Sequence, residues 1–336
     1  MSRNATDFAS LVTGFLTDYL PFQRNYSKNT VLSYRDTFKL FARFITEFKG
    51  IQLRRFSMAK FDRTIVAEFL EWLRGNGSGI STANQRLAAL KSFAHYAGIE
   101  HIELLAPLQN IQSIKSAKPV TEEIIYLSSE QMALLINRPD INFANGLRHR
   151  VILTLLYDSG CRVQELCDLK IRDVDTDAAT VHLHGKGNKH RTVAISENTA
   201  KLVAEYVKRQ RKTDDLSQPL LLNKNRKNIC RDGVNYVIRK YAKEVGALET
   251  AFPKSIHAHC FRHSKAMHML AAGIPLIYIR DFLGHQDIST TTIYAKADNR
   301  LKAEAINKLA PMITQETDFS DWTKDTDLMS FLNSLK

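Results

Sequence analysis

The chain has 336 residues, enough for two domains that each bury a core. Its 44% hydrophobic and 24% charged residues exclude wholesale disorder, and no apolar run is long enough to cross a bilayer. Lys and Arg outnumber Asp and Glu by 47 to 35, a net charge of +12. An excess spread along the chain suits a long polyanion, whose counterions are released as its phosphates are neutralised.

Residues 1–117 carry a net charge of +6 and read as helices. The N-terminus, MSRNATDFAS, has no apolar core of signal-peptide length, so a cytoplasmic, nucleoid-associated protein is expected. Phe8, Leu11, Val12, Phe15, Leu16 and Tyr19 recur at the spacing of one helical face. A second helix, capped by Ser27 or Asn29, carries Tyr34, Phe38, Phe41, Ile45 and Phe48 and ends at Gly50. A third spans about 62–74, and GNGSG at 75–79 breaks the chain. A fourth follows Ser81, with Leu87, Leu90, Ala94 and Ala97 inward and Asn84, Gln85, Arg86 and Lys91 on its polar face. The expected result is a four-helix bundle with one basic surface. Lys28, Asn29, Thr30, Arg86 and Lys91 are its candidates for contact with DNA, against the plain alternative of a solvated polar face.

The polar, basic stretch between Leu108 and Glu123 reads as a linker. Residues 118–313 carry a net +9. Helices are expected at about 128–137 (capped by Ser128 or Ser129), 143–159, 196–211, 231–245 and 258 to Gly273. A short helix runs from Pro275 to Gly284, and a further one holds Tyr294. ATVHLHGKGNKHRTVAIS alternates around a turn and reads as a β-hairpin. The fold class is therefore mainly α with a small β-hairpin or sheet, divided as 1–117, 118–312 and a tail at 313–336. The last 23 residues carry −3 and end in DLMSFLNSLK, which can form a small amphipathic helix. Cys161, Cys167, Cys230 and Cys260 have neither a disulfide framework nor zinc-knuckle spacing, so they read as buried free thiols.

Five segments of the second half carry chemistry: GCRVQEL at 160–166, HGKGNKHR at 184–191, HAHCFRHS at 257–264, LGHQ at 283–286 and TTIYA at 291–295. Breaking a phosphodiester without a metal requires fixed cations and hydrogen-bond donors around a pentacoordinate phosphorus. Arg162 and Arg262 are suited to this, because a planar guanidinium grips two phosphate oxygens at once. His259 lies three residues before Arg262, on the same helical face, and can donate to the phosphate or move a proton. Lys186, at a hairpin tip, can protonate a departing 5′ oxygen, with Lys189 or Arg191 as substitutes. Tyr294 is the candidate nucleophile, its phenolate favoured by two cationic neighbours. His285 can bond the same phosphate. Glu165 and His263 are read as supporting residues and Gly284 as a backbone requirement; Lys189 and Arg191 are also candidates for DNA contact. The His and Cys crowding at 257–263 lacks a recognised metal-ligand spacing, and no metal is expected.

In this order and spacing the segments resemble the catalytic domain of the tyrosine recombinase (phage integrase) family, in its two-domain Xer/integrase-like form. The family pattern of G-x-R-x-x-E-L, a hairpin Lys, H-x-x-R, L-G-H and a terminal Tyr is met by Arg162 with Glu165, Lys186, His259 with Arg262, His285 and Tyr294. The first half resembles the family's core-binding bundle, so the likeness covers all but the tail after about residue 312. The resemblance implies a DNA breaking and rejoining enzyme that forms a 3′-phosphotyrosine and a Holliday junction, without metal, ATP or other cofactor. It implies duplex DNA with paired inverted sequences as partner, a homotetramer on that DNA, and a monomer or dimer off it. A second recombinase or an accessory DNA-bending protein is compatible with it, a membrane is not. The tail is expected to dock on a neighbouring protomer. Competing readings are a type IB topoisomerase, a silent DNA-binding protein that keeps the fold, and a metal-dependent phosphoesterase; the intact residue set and the hairpin favour the recombinase.

Overall fold

The computed structural model describes residues 6–118, 124–185, 189–211, 213–285, 287, 291–294 and 326–335. The chain divides into two compact units, Met1–Glu122 and Glu123–Lys336.

In the first unit, α1 (Asp7–Gly14) continues as wider π-helical turns through Phe15–Gln23. That stretch contains Pro21, which has no N–H to give to an ordinary helical turn. Ser27 caps α2 (Lys28–Arg43) by accepting the Thr30 N–H. α3 (Arg63–Gly75), capped by Asp62, and α4 (Ile80–Glu100) complete the long helices. Their apolar faces meet in an aromatic core, in which Phe93 sits 5.1 Å from Phe38, 5.3 Å from Phe61 and 5.4 Å from Phe15. These edge-to-face pairs each add about 0.5–1.5 kcal/mol to simple burial. The bundle has one more helix than the sequence suggested. α5 (Leu105–Gln112) buries Leu108 and Ile111 against the core, so this part of the expected linker belongs to the bundle.

The second unit opens with α6 (Ser129–Asn137), capped by Ser128 in a reciprocal box with Gln131. α7 (Ala144–Asp158) is central and buries most of its length. After α8 (Val163–Asp168), three antiparallel strands follow in the order β1 (Val174–Asp175), β2 (Thr180–Gly185), β3 (Lys189–Ala194). The expected hairpin is β2–β3, paired Val181 to Val193 and Leu183 to Arg191; β1 is too short to be visible as a pattern. Val181, Leu183 and Val193 are buried on one face. α9 (Glu197–Tyr206) runs on to Arg211, and α10 (Arg231–Gly246), α11 (Ala258–Ala271) and α12 (Leu276–Leu283) complete the core. Cys161, Cys167 and Cys260 are buried and free, as read; Cys230 is exposed. No helix among the described residues is long and apolar enough to cross a membrane.

Candidate active site

The site is assembled from the start of α8, strand β3, helix α11 and the C-terminal end of α12. Arg162 is the residue just before α8. Its backbone N–H donates to Glu165 Oε2 at 2.8 Å and its guanidinium to Oε1 at 2.9 Å. The same carboxylate receives Arg191 through two parallel bonds, 3.0 and 2.8 Å long. Glu165 is buried, and burial pushes its carboxyl up. The Arg191 guanidinium and the Arg162 N–H outweigh that and hold it below the ordinary range. Arg162 itself remains 42% exposed in its side chain, so it keeps donors for an incoming group.

Arg262 lies on α11 and is 3% exposed. Its two terminal nitrogens donate to the carbonyls of Gly160, at 2.7 Å, and Leu283, at 2.5 Å. Each nitrogen retains a second hydrogen. Burial pulls the guanidinium down to about 10, with Arg162 and Arg191 adding repulsion, yet it remains cationic at neutral pH. α11 can place it there because Cys260, Phe261, Ala266 and Met267 face the core. Burying a large apolar side chain is worth about 1.5–3 kcal/mol, enough to hold a helix whose other face is cationic.

Gly284 ends α12 in the left-handed region at φ +65°, with the His285 N–H returning to the Arg280 carbonyl at 3.1 Å. A Cβ at Gly284 would lie 2.9 Å from Arg191 Cδ. Gly284→Ala is therefore expected to cost roughly 1–2 kcal/mol in backbone strain. It should also lower strand cleavage more than tenfold by displacing Arg191 and the Leu283 carbonyl; a variant that melts slightly earlier but cuts normally would contradict this.

The His285 ring lies 2.9 Å from Thr291 Oγ1, and burial, then Arg262, Arg162 and Arg191, lowers it to about 4. His263 Nδ1 lies 3.0 Å from Tyr294 Oη, and burial likewise lowers that ring to about 4, so it is neutral. Tyr294 is 1% exposed, packed with Ala266, Met267, Leu270, Ile279 and Leu283. Its pKa corrects the sequence expectation: burial raises it, and Arg262 opposes burial without overcoming it. A phenolate is thus disfavoured in this packed position. His259 is exposed at the site's edge, 6.3 Å between ring centroids from His263. Partial desolvation, His257 and Arg262 keep it below its ordinary pKa.

Arg162, Glu165, His259, Arg262, His263, Gly284, His285 and Tyr294 are therefore brought together. Lys186 lies outside the described residues, as does the side chain of Lys189. Arg191, read as a DNA contact or a stand-in for Lys186, is instead an internal positioning residue, bound to Glu165 and, at 3.1 Å, to the Phe282 carbonyl. The signal was present: Arg191 shares strand parity with Val193, which faces inward. Two further residues escaped the sequence reading. Asp158, at the end of α7, receives Lys265 of α11 at 2.9 Å and the Ser196 N–H at 2.6 Å, anchoring the loop that leads to Arg162.

In the first unit, Arg86 donates to the Ser33 carbonyl and Thr37 Oγ1, and Lys91 to the Gln112 carbonyl. Both therefore tie helices together, a structural role beside the DNA contact expected of them. Lys28 and Asn29 are exposed at the start of α2, while the Thr30 side chain joins the Ser27 cap.

Residues 126–300 match the phage integrase family, and residues 13–101 match the phage integrase N-terminal SAM-like domain. The chain belongs to this family, the tyrosine recombinases. It is 29% identical to the tyrosine recombinase XerD of Staphylococcus epidermidis over 281 residues, covering 82% of this chain and 90% of that one. Its fold is similar to the Tn1549 transposon integrase in complex with transposon right end DNA, with a TM-score of 0.69 and 18% identity, over 89% of this chain and 99% of that chain. It is also similar to a lambda integrase tetramer bound to a Holliday junction, with a TM-score of 0.64 and 14% identity, over 87% and 78% of the two chains.

Proposed function

We propose that this chain cuts and rejoins duplex DNA at specific sites through a covalent 3′-phosphotyrosine formed by Tyr294. The observation that carries the reading is the convergence of Arg162, Arg262 and His285 on one another, with Arg262 and His263 beside Tyr294. Two arginines, one of them nearly buried, supply the positive charge that a pentacoordinate phosphorus needs, in a site already organised before the reaction. The Tyr294 oxygen attacks the phosphorus and passes its proton to His259, the Tyr–O–P bond forms, and the P–O5′ bond breaks. The 5′ oxygen leaves as a hydroxyl, protonated by Lys186. Attack by a 5′ hydroxyl on the phosphotyrosine reverses these steps and conserves the bond energy, so ATP is not needed.

Tyr294 is 1% exposed, so its ring must leave this packed position before attack. While it is packed, the neutral His263 ring can accept its hydroxyl hydrogen bond. DNA with paired inverted sequences would be held by two protomers per site, and four protomers would join two sites. The tetramer on a Holliday junction to which the fold is similar supports that assembly. The helix at Thr326–Ser334 exposes Phe331 and Leu332, an apolar face suited to docking on a neighbouring protomer. Truncation after Arg300 is then expected to abolish the tetramer on DNA; a truncated chain that still forms it would contradict the docking.

The reading is tested by incubating the protein with sheared DNA in EDTA, quenching with detergent, and sequencing the protein-linked ends. Ends gathered at a few paired inverted sequences are expected. Ends scattered over unpaired sites would favour a topoisomerase, and loss of adducts in EDTA would favour a metal-dependent reaction.

A further inference from the structure

At the end of α7 remote from Arg162, the second unit holds another concentration of cations. Arg148, Arg209, Arg211, Lys224 and Arg226 line a cavity of about 560 Å³ together with Tyr206, and none of the described residues lining it is acidic. An α-helix rises about 1.5 Å per residue, so the stretch of α7 from Arg148 to Asp158 sets this cavity roughly 15 Å from the loop that bears Arg162. It is a separate place from the site described above.

Arg211 carries the argument. It closes the helical run that follows α9 and is 5% exposed. One terminal nitrogen donates to Gln218 Oε1 at 3.1 Å, while Nε is buried with no hydrogen-bond partner. A guanidinium stays charged at any physiological pH, so with no carboxylate paired to it among the described residues Arg211 leaves a largely buried positive charge at the cavity wall, which an anion in the cavity would neutralise. Arg148 is held ready beside it by the Leu222 carbonyl and Asn145 Oδ1, both at 3.1 Å. Among the described residues, only Arg209 of these cations pairs with a carboxylate, that of Glu205. Lys224 and Arg226 are exposed on the turn at the rim. Guanidinium groups around a concave space whose described lining holds no carboxylate match the oxygens of a phosphate group.

We propose that this cavity binds a phosphate group, offered either by a small oligophosphate or by the backbone of a duplex. The first source needs no strand cleavage, so the proposal stands or falls apart from the reading of Tyr294.

The test uses the full-length chain carrying Arg162→Ala, which weakens competition from the site around Arg262, and titrates it calorimetrically with pyrophosphate. One molecule is expected to bind per chain, and Lys224→Ala with Arg226→Ala should weaken it more than tenfold. Both residues are exposed, so the pair keeps the fold; Arg211→Gln, checked by circular dichroism, should have the same effect. In parallel, duplex affinity is measured against salt. A log–log slope shallower by about two in the double variant would assign the phosphates to duplex backbone. Lost pyrophosphate binding with an unchanged slope assigns them to the free anion. If neither pyrophosphate binding nor the slope changes, the proposal is overturned.

Discussion

Glu165→Ala is expected to melt the catalytic unit well before the parent and to reduce strand cleavage at least a hundredfold. The buried carboxylate receives both Arg162 and Arg191, and Arg262 lies in the same field. Removing one member of a buried ion pair leaves uncompensated charge, at a cost of about 3–5 kcal/mol. Here two arginines lose their anchor together, and the Arg162 N–H at the start of α8 loses its acceptor. Part of the loss should be recovered by Glu165→Gln, which keeps the acceptor oxygen without its charge. Thermal melting and adduct yield report the two effects separately. An alanine variant that melts and cuts like the parent would show that the arginines are held by something other than Glu165.

Tyr294→Phe should abolish covalent attachment to DNA, by a factor of a thousand or more, while leaving binding intact. The ring stays packed among Ala266, Leu270 and Leu283, so the core keeps its volume. What is lost is one hydroxyl and its contact with His263, worth about 0.5–1.5 kcal/mol of stability. A large chemical effect beside a small stability effect separates a nucleophile from a core tyrosine. Residual adduct above a thousandth of the parent level would place the nucleophile elsewhere.

Most of the architecture was legible before the structure, because most helices carried an apolar stripe and several a cap; Ser128, Asp62 and Gly284 stand where such residues should. The candidate site was legible because Arg162, His259, Arg262, His285 and Tyr294 fall in motifs with fixed spacing. The rest required contacts between distant segments. The α5 turn looked like linker, since only packing against the bundle explains why Leu108 and Ile111 lie inside. Arg191 looked solvent-facing because arginine usually is, although strand parity placed it with Val193. The Asp158–Lys265 pair joins residues 107 apart, and no local pattern announces it. Motif spacing shows that cations lie near Tyr294 but not the burial that opposes them, and burial decides its pKa.

The central claim is that the Tyr294 oxygen becomes bonded to DNA. Adducts trapped on a nicked duplex site, digested with trypsin and nuclease, should be mapped by mass spectrometry. The account predicts one modified peptide, 281–296, carrying a phosphonucleotide on Tyr294. A nucleotide found on any other residue, with Tyr294 unmodified in the same sample, would contradict it.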